Sequence, residues 1–192
     1  MAKMTSGDLK AFTYHYPRSA VIITARYNDK ENAMTAAWHM PVSDKPPMYA
    51  VSIAPRRFTY QLITGSKRFG VNFLPFEKAE LLAAVGGSSG RDINKFDYFG
   101  IQMNEAEVDT VPVLNDAYAA YECRLVDDTE FGDHRLLVGE IMRVHWLDEV
   151  YGQNVVINLE KINPILYLGK DIYVSTAKDT RRQLNRKIYG VR

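Results

Sequence analysis

Residues 20–38 read AVIITARYNDKENAMTAAW and fall into two extended segments. The first segment, 20–27, is rich in β-branched residues, which favour strands, and it ends at Asn28-Asp29, a pair typical of turns. The second segment, 32–38, continues as a strand but consists mainly of small residues. We therefore predict a hairpin here, in which one strand carries unusually small side chains.

Further strands are predicted wherever apolar residues alternate or β-branched residues cluster. These segments are 48–54, 69–74, 119–126, 135–147 and 166–168. Several of them are joined by short turns, which excludes a Rossmann fold, because there a helix follows each strand. An antiparallel barrel fits better, since closure removes exposed sheet edges. We expect a mainly β fold of the α+β type with a few inserted helices.

Helices are predicted at 58–64, at 77–85 and after Ser6. The prediction after Ser6 rests on three apolar residues that precede Pro17, namely Leu9, Phe12 and Tyr16. Prolines predict an irregular connection after the small-residue strand, at Pro41, Pro46 and Pro47.

The composition indicates one soluble domain. A chain of 192 residues buries a sizeable core but is short for two domains. The formal net charge of +1 argues against nucleic acid and a membrane surface as partners, and no apolar stretch reaches the roughly 18 residues of a membrane helix. The single Cys123 excludes an intramolecular disulfide. Because the N-terminus also lacks the pattern of a signal peptide, we expect a cytoplasmic protein.

Charge is segregated towards the C-terminus. Residues 176–192 contain six basic residues against Asp179 alone, a net charge of +5. A nucleic-acid-binding arm is one interpretation, although Tyr189 is the only aromatic residue there. The other is a segment that packs on a partner subunit with solvated Arg and Lys side chains. We adopt the second interpretation, with a domain at 1–175 and a basic tail at 176–192.

Two polar segments are candidates for binding a phosphate group. Arg56-Arg57-Phe58-Thr59 begins a predicted helix, where arginines, a hydroxyl and free amides suit an anion. A solvated basic turn with Thr59 as a cap explains the same residues. The segment 86–91, GGSSGR, with Lys95 nearby, offers a second anion-binding nest or a flexible loop. Its spacing matches neither a P-loop nor a dinucleotide motif.

The small-residue strand and one histidine are candidates for binding a flat ring. Alanines and a threonine at 35–37 let a ring approach backbone amides, and Trp38 offers an apolar wall with a polar N–H. Tight packing between strands also explains these residues, and the seven residues taken alone favour that explanation. A turn at Gly132-Asp133 places His134 at the start of a strand. There it could hydrogen-bond a ligand or a hydride donor, or it could have a structural role. The other histidines share no metal-ligand spacing with it, so we predict no metal site.

Five blocks follow one another along the chain: NAMTAAW at 32–38, PVSDKPPMYAVSIAPRRFTYQLI at 41–63, KRFGVNFLP at 67–75, SSGRDINKF at 88–96 and GDHRLLVGE at 132–140. This succession resembles the flavin reductase-like, FMN-binding split-barrel family, and within it most closely the flavoredoxins. The resemblance extends from about residue 17 to residue 167. It implies a homodimeric antiparallel split β-barrel that binds FMN non-covalently at or near the dimer interface.

The resemblance also implies a role for each matching position. The isoalloxazine ring and ribityl chain are expected beside Asn32, Met34, Thr35, Ala36, Ala37 and Trp38. The ribityl–phosphate end is expected beside Ser52, Arg56 and Thr59, and is completed by Ser89, Arg91 and Lys95. Asn72 is expected to support the flavin from a neighbouring strand, and Tyr167 to contact it as an aromatic residue. His134 is expected where a nicotinamide approaches, as the catalytic residue.

The function implied is an NAD(P)H-dependent FMN oxidoreductase, in which hydride reaches flavin N5 and electrons pass to an acceptor. Such chemistry needs no protein nucleophile, because the protein tunes the potential of the flavin and access to it. An alternative is a tightly bound FMN electron carrier that a redox protein partner reduces. A third is a barrel that binds a ligand without redox chemistry.

Overall fold

The computed structural model describes residues 3–8, 12–104, 111–185 and 188. Within them the strands are β1 Arg18–Ser19, β2 Val21–Tyr27, β3 Lys30–Ala36, β4 His39–Asp44, β5 Pro47–Ile53, β6 Arg68–Phe73, β7 Ala119–Phe131, β8 His134–Trp146, β9 Leu166–Gly169 and β10 Ile172–Val174. The α-helices are α1 Phe58–Ser66, α2 Ala79–Gly87 and α3 Lys95–Phe99.

The strands form two antiparallel sheets. The larger has the order β3-β2-β6-β7-β8-β5-β4, and the smaller has the order β1-β9-β10. The longest hairpin joins β7 to β8 through Gly132 and Asp133, and Gly132 has a φ of +62°, in the left-handed region that favours glycine. The mainly β, antiparallel fold predicted from the sequence is confirmed.

Strand β2 is buried on both faces, which explains its β-branched sequence. Ile23 packs on one face in a cluster with Phe69. Ile22 packs on the other face with Leu82 of α2 and Phe96 of α3. Each of these two isoleucines is fully buried, a contribution of about 1.5–3 kcal/mol per side chain. This packing holds α2 and α3 beside the hairpin that β2 forms with β3.

The irregular connection predicted around the prolines is wrong, because the chain forms β4 and β5 there. Pro41 lies in β4, an edge strand, and its register against β5 shifts between Pro41 and Ser43. Proline is tolerated in such a position since an edge strand has a free side and a bulge interrupts the ladder. Pro47 is the first residue of β5, another position where proline fits.

The helix predicted after Ser6 is also wrong for the described residues 12–17. Leu9 lies outside the described residues, while 12–17 contain a turn and no helix. Phe12 packs on Trp38, with ring centroids 5.8 Å apart, and Tyr16 packs on Tyr167 at 5.9 Å. These aromatic residues therefore contact the barrel separately instead of sharing one helical face. The helices predicted at 58–64 and 77–85 are confirmed as α1 and α2.

The described residues after β10 lie mostly on the surface. Residues 177–185 are exposed, and Lys178 Nζ forms an ion pair with Glu160 Oε2 at 2.7 Å. Across the part of the chain that the structure describes, no helix is both long and apolar enough to span a bilayer.

Candidate functional site

Two adjoining cavities form one groove beside β3. They share the lining residues Met34, Thr35 and Arg57, so the two spaces lie next to each other. Each has a cavity volume of about 200 Å³. We call the first space the cationic cavity and the second the aromatic cavity.

The cationic cavity brings together the two phosphate-binding candidates, which are far apart in sequence. The predicted residues that line it are Asn32, Met34, Thr35, Arg56, Thr59, Ser89, Arg91 and Lys95. Its four cations are Arg56, Arg57, Arg91 and Lys95, and none of the fourteen lining residues, all of them described, is acidic. A cavity with this charge suits a doubly charged anion such as a phosphate monoester.

Lys95 is a buried cation in this cavity. Its side chain is 3% exposed, and Nζ donates to the carbonyl oxygens of Ala33 at 2.9 Å and Val85 at 2.7 Å. Burial, together with repulsion from Arg57, lowers the pKa of Lys95 to about 8. A buried charge is costly unless a counter-charge accompanies it, so an anion in the cavity would offset this cost.

The N-terminus of α1 directs the positive end of its helix dipole to the cavity. Arg57 precedes the helix in an extended conformation, and within the described chain no side chain hydrogen-bonds to cap this end. The first turn of α1 contains no acidic residue. Basic residues run against the usual preference at a helix start, where the helix dipole favours negative charge. An anion bound at this end would satisfy both the dipole and the arginines.

Asn32 lines the same cavity and carries an unpaired acceptor. It is 3% exposed, and its Nδ2 donates to Oγ1 of the fully buried Thr59 at 2.8 Å. Its Oδ1 is buried and has no hydrogen-bond partner among the described residues. Leaving such an acceptor unsatisfied costs about 1–3 kcal/mol. A ligand hydroxyl group would remove that cost, so these residues fit the ribityl chain and phosphate of FMN.

Gly90 allows the loop after α2 to approach Asn32. A β-carbon at Gly90 would overlap Oδ1 of Asn32 and would lie 2.5 Å from its Cγ. Real β-carbons essentially never come so close to another heavy atom, so one of the two groups would have to move. The loop that carries Ser89 and Arg91 therefore reaches the cavity because residue 90 has no side chain.

The aromatic cavity holds the residues expected around a flat ring. The predicted residues that line it are Met34, Thr35, Ala36, Ala37, Trp38, His134 and Tyr167. Ser52 was expected at the ribityl–phosphate end, but it lines this cavity and not the cationic one. Trp38 packs on His134, with ring centroids 4.8 Å apart and an interplanar angle of 47°. Small residues on β3 and aromatic rings at one end produce a space suited to a planar ligand.

His134 lies at this cavity because the β7–β8 turn places it there. Its Nδ1 and Oδ1 of Asp133 are 2.7 Å apart. This hydrogen bond from the His134 ring lowers the pKa of the Asp133 carboxyl. When Nδ1 donates to that carboxylate, the second ring nitrogen of His134 is left to interact with a ligand.

Asn72 is the one predicted site residue that lines neither cavity. It is fully buried on β6, which β2 separates from β3. Its Nδ2 donates to the Ile22 carbonyl and to Thr24 Oγ1, both at 3.1 Å, and its Oδ1 accepts from the Leu114 amide at 2.9 Å. The expectation that Asn72 supports a flavin is therefore corrected, because its side chain fastens residue 114 to the sheet.

Several residues of the groove were missing from the predicted site. Arg57, Phe58, Gly86 and Gly90 stand inside the motifs quoted above, so their signal was present in the sequence. Tyr16 carried no such signal, because it reaches the aromatic cavity from the N-terminal segment. Its hydroxyl accepts a hydrogen bond from Trp38 Nε1 at 3.0 Å.

Cysteine and metal chemistry are not supported by the residues present. Cys123 packs in the core, and burial raises the pKa of its thiol to about 12. In the described ranges, no group of three or more His, Cys, Asp or Glu side chains is placed to hold a metal ion.

Comparison with other sequences identifies relatives. The flavin reductase like domain profile matches residues 13–174. An uncharacterized protein of Aeropyrum pernix is 36% identical over 156 residues, which cover 81% of this chain and 59% of that protein. The chain therefore matches less than two thirds of the length of this relative.

Solved structures share the fold over almost the whole chain. An FMN-binding protein from Thermus thermophilus, with bound 1-cyclohex-2-enone, is similar with a TM-score of 0.83 and 30% identity, covering 95% of this chain and 99% of that one. A flavoredoxin from Methanosarcina acetivorans has a TM-score of 0.80 at 24% identity and 92% coverage of both chains. A putative flavin reductase with a split barrel domain from Shewanella frigidimarina has a TM-score of 0.80 at 19% identity, with 90% and 89% covered.

Proposed function

This chain belongs to the flavin reductase like domain family, and we propose that it binds one FMN non-covalently and passes electrons from NAD(P)H to an acceptor. The family resemblance drawn from the sequence blocks is confirmed, as is the split-barrel fold. The observation that carries the proposal is a cavity lined by four cations and by Asn32, whose Oδ1 is unpaired, next to an aromatic cavity that shares three of its lining residues.

We assign each part of FMN to different residues of the groove. The phosphate would be held by Arg56, Arg91 and Ser89 with the buried Lys95. Asn32 would accept a hydrogen bond from the ribityl chain beside Thr59. The ring would lie against the small residues of β3, with Trp38 at its edge. When bound, FMN supplies a ring that accepts hydride at N5, while the protein controls orientation and access.

His134 is proposed as the residue that meets the electron donor. It lines the aromatic cavity beside Trp38, and Asp133 holds its ring through one nitrogen. The other nitrogen would then hydrogen-bond the nicotinamide. This role places the donor on the ring side of the groove, away from the cations that hold the phosphate.

A tightly bound FMN electron carrier, reduced by a redox protein partner, is the second candidate. The enclosure of the phosphate end favours it, because Thr59 is fully buried and Asn32 and Lys95 are almost so. Ligand groups held by buried partners dissociate slowly. A carrier would retain FMN on dilution, whereas a reductase that uses FMN as a substrate would release it.

The visible spectrum of the purified protein, recorded anaerobically before and after addition of NADH or NADPH, tests these proposals. We expect a flavin absorption band that NAD(P)H bleaches, and His134→Gln should slow the bleaching while FMN stays bound. Bleaching by dithionite but by neither nucleotide would favour the carrier. A colourless protein that takes up no added FMN would exclude both and leave the non-redox barrel.

We also propose a homodimer, with the tail at 176–192 packed on the partner subunit. Exposed apolar side chains on β8 support an interface, among them Met142 and Trp146, which are 52% and 58% exposed. Leu184 in the tail is exposed as well. Size-exclusion chromatography with light scattering is expected to give twice the chain mass of 21.9 kDa. A mass of one chain at micromolar concentration would contradict the dimer.

A further inference from the structure

Tyr16 is a polar residue of the aromatic cavity that has no role in the proposed function. The N-terminal segment brings it to the groove, where it lies half-buried beside His134 and Tyr167. No motif of the sequence pointed to it, since its neighbours in the groove are distant along the chain.

The Tyr16 side chain is held in place by one hydrogen bond to its hydroxyl and by packing of its ring. Trp38 Nε1 donates to it at 3.0 Å, and the Trp38 ring is packed on His134. The Tyr16 ring packs on Tyr167 at 5.9 Å and edge-on against His15 at 5.0 Å. A hydroxyl fixed in this way has one defined position relative to the cavity.

The Tyr16 hydroxyl can still donate a hydrogen bond. A tyrosine hydroxyl both accepts and donates, and here the accepting side is occupied by the Trp38 indole. Among the described residues, no acceptor is hydrogen-bonded to the Tyr16 proton. Because tyrosine hydroxyls usually have a hydrogen-bond partner when they are buried, a ligand that fills the cavity and displaces water would be expected to supply an acceptor for this proton.

We propose that Tyr16 donates a hydrogen bond to a heteroatom at the edge of the FMN ring. This inference rests on the proposed function. The cationic cavity would hold the phosphate, and it shares Met34, Thr35 and Arg57 with the adjacent aromatic cavity. The planar end of the same ligand therefore extends towards Tyr16. The edge of that ring carries carbonyl oxygens and ring nitrogens, which are hydrogen-bond acceptors.

The bond is expected to strengthen when the ring is reduced, because added electrons make its heteroatoms stronger acceptors. Charge-assisted hydrogen bonds are about twice as strong as neutral ones. Tyr16 would therefore bind reduced FMN more strongly than oxidised FMN, and would raise the midpoint potential of the bound flavin.

Tyr16→Phe removes the hydroxyl and keeps the ring that packs on Tyr167. We expect oxidised FMN to bind about 3- to 10-fold more weakly, as for the loss of one hydrogen bond. Reduced FMN should lose about tenfold more affinity than the oxidised form, which makes the midpoint potential about 30 mV more negative for a two-electron couple. The absorption band of the bound flavin should shift as well.

Tyr14→Phe is the matched control, because Tyr14 belongs to the same segment but is 90% exposed. It should leave affinity, absorption band and potential unchanged. Circular dichroism checks folding, and Tyr16→Leu provides a second variant without the hydroxyl. Folded Tyr16 variants that bind FMN with wild-type affinity, spectrum and potential would overturn the inference alone. A wild-type protein that binds no FMN would instead overturn the proposed function on which it rests.

Discussion

Asn32→Asp is expected to weaken FMN binding by about 100-fold or more while the protein remains folded. The substitution keeps the shape of the side chain but replaces the unpaired amide oxygen by a carboxylate in the cationic cavity. The carboxylate would repel the phosphate and compete with it for the cations, and like charges brought together cost several kcal/mol. Thr59 can then donate to the carboxylate, so the buried pair is kept.

The stability of the FMN-free protein should move in the opposite direction. A carboxylate at position 32 would offset the charge of Lys95 and Arg57, which share the cavity without an acidic neighbour among its lining residues. We expect the free energy of unfolding without FMN to rise. Opposite effects on ligand affinity and stability would separate electrostatic repulsion from simple damage to the fold.

Asn28→Asp provides the control for this experiment. Asn28 lies in the turn of the same hairpin, between β2 and β3, and is exposed. FMN titration followed by flavin fluorescence, together with urea unfolding, measures both quantities for each variant. Wild-type affinity in Asn32→Asp would show that position 32 does not face the phosphate end of the ligand.

Gly90→Ala is expected to lower both FMN affinity and stability. The added β-carbon would overlap Asn32 Oδ1, so the loop that carries Ser89 and Arg91 has to move away from the cavity. Overpacking of this kind costs about 1–3 kcal/mol. Because displaced cations would no longer reach the phosphate, we expect FMN binding to weaken by about tenfold or more, an amount that corresponds to about 1.4 kcal/mol.

Gly87→Ala is the matched control in the same segment. A β-carbon at Gly87, the last residue of α2, would meet nothing within 4 Å. This change should alter the free energy of unfolding by less than about 0.5 kcal/mol and leave FMN affinity unchanged. Thermal unfolding and FMN titration compare the two variants. Equal behaviour of both would mean that the contact between Gly90 and Asn32 does not shape the site.

Much of the fold was predictable because its signals are local. The β-branched run of β2 and the apolar pattern of α2 depend on residues close in sequence, and both elements form where predicted. Local chemistry likewise indicated that Arg56–Thr59 and Ser89–Lys95 suit an anion. Sequence alone left a solvated turn and a flexible loop as alternatives, since it could not show that the two segments meet.

The sequence-based predictions were wrong where contacts with distant residues of the same chain outweigh the local structural preference of a segment. Pro41 argued against a strand, yet β4 forms at the edge of a sheet, where a missing amide is tolerated. Asn72 was assigned to the site by its position in a motif, although its amide pairs with β2 and residue 114. In both cases the partner that determines the outcome lies in another part of the chain.

The sequence by itself therefore determined the antiparallel β character of this protein, its family and the kinds of group available to a ligand, because composition, periodicity and short motifs carry that information. Tertiary structure decided which of those groups share one groove. It placed Lys95 beside Arg57 without a carboxylate, left Asn32 Oδ1 without a partner, and brought Tyr16 to Trp38. These features depend on distances between segments far apart along the chain, and such distances are set by packing of the whole domain.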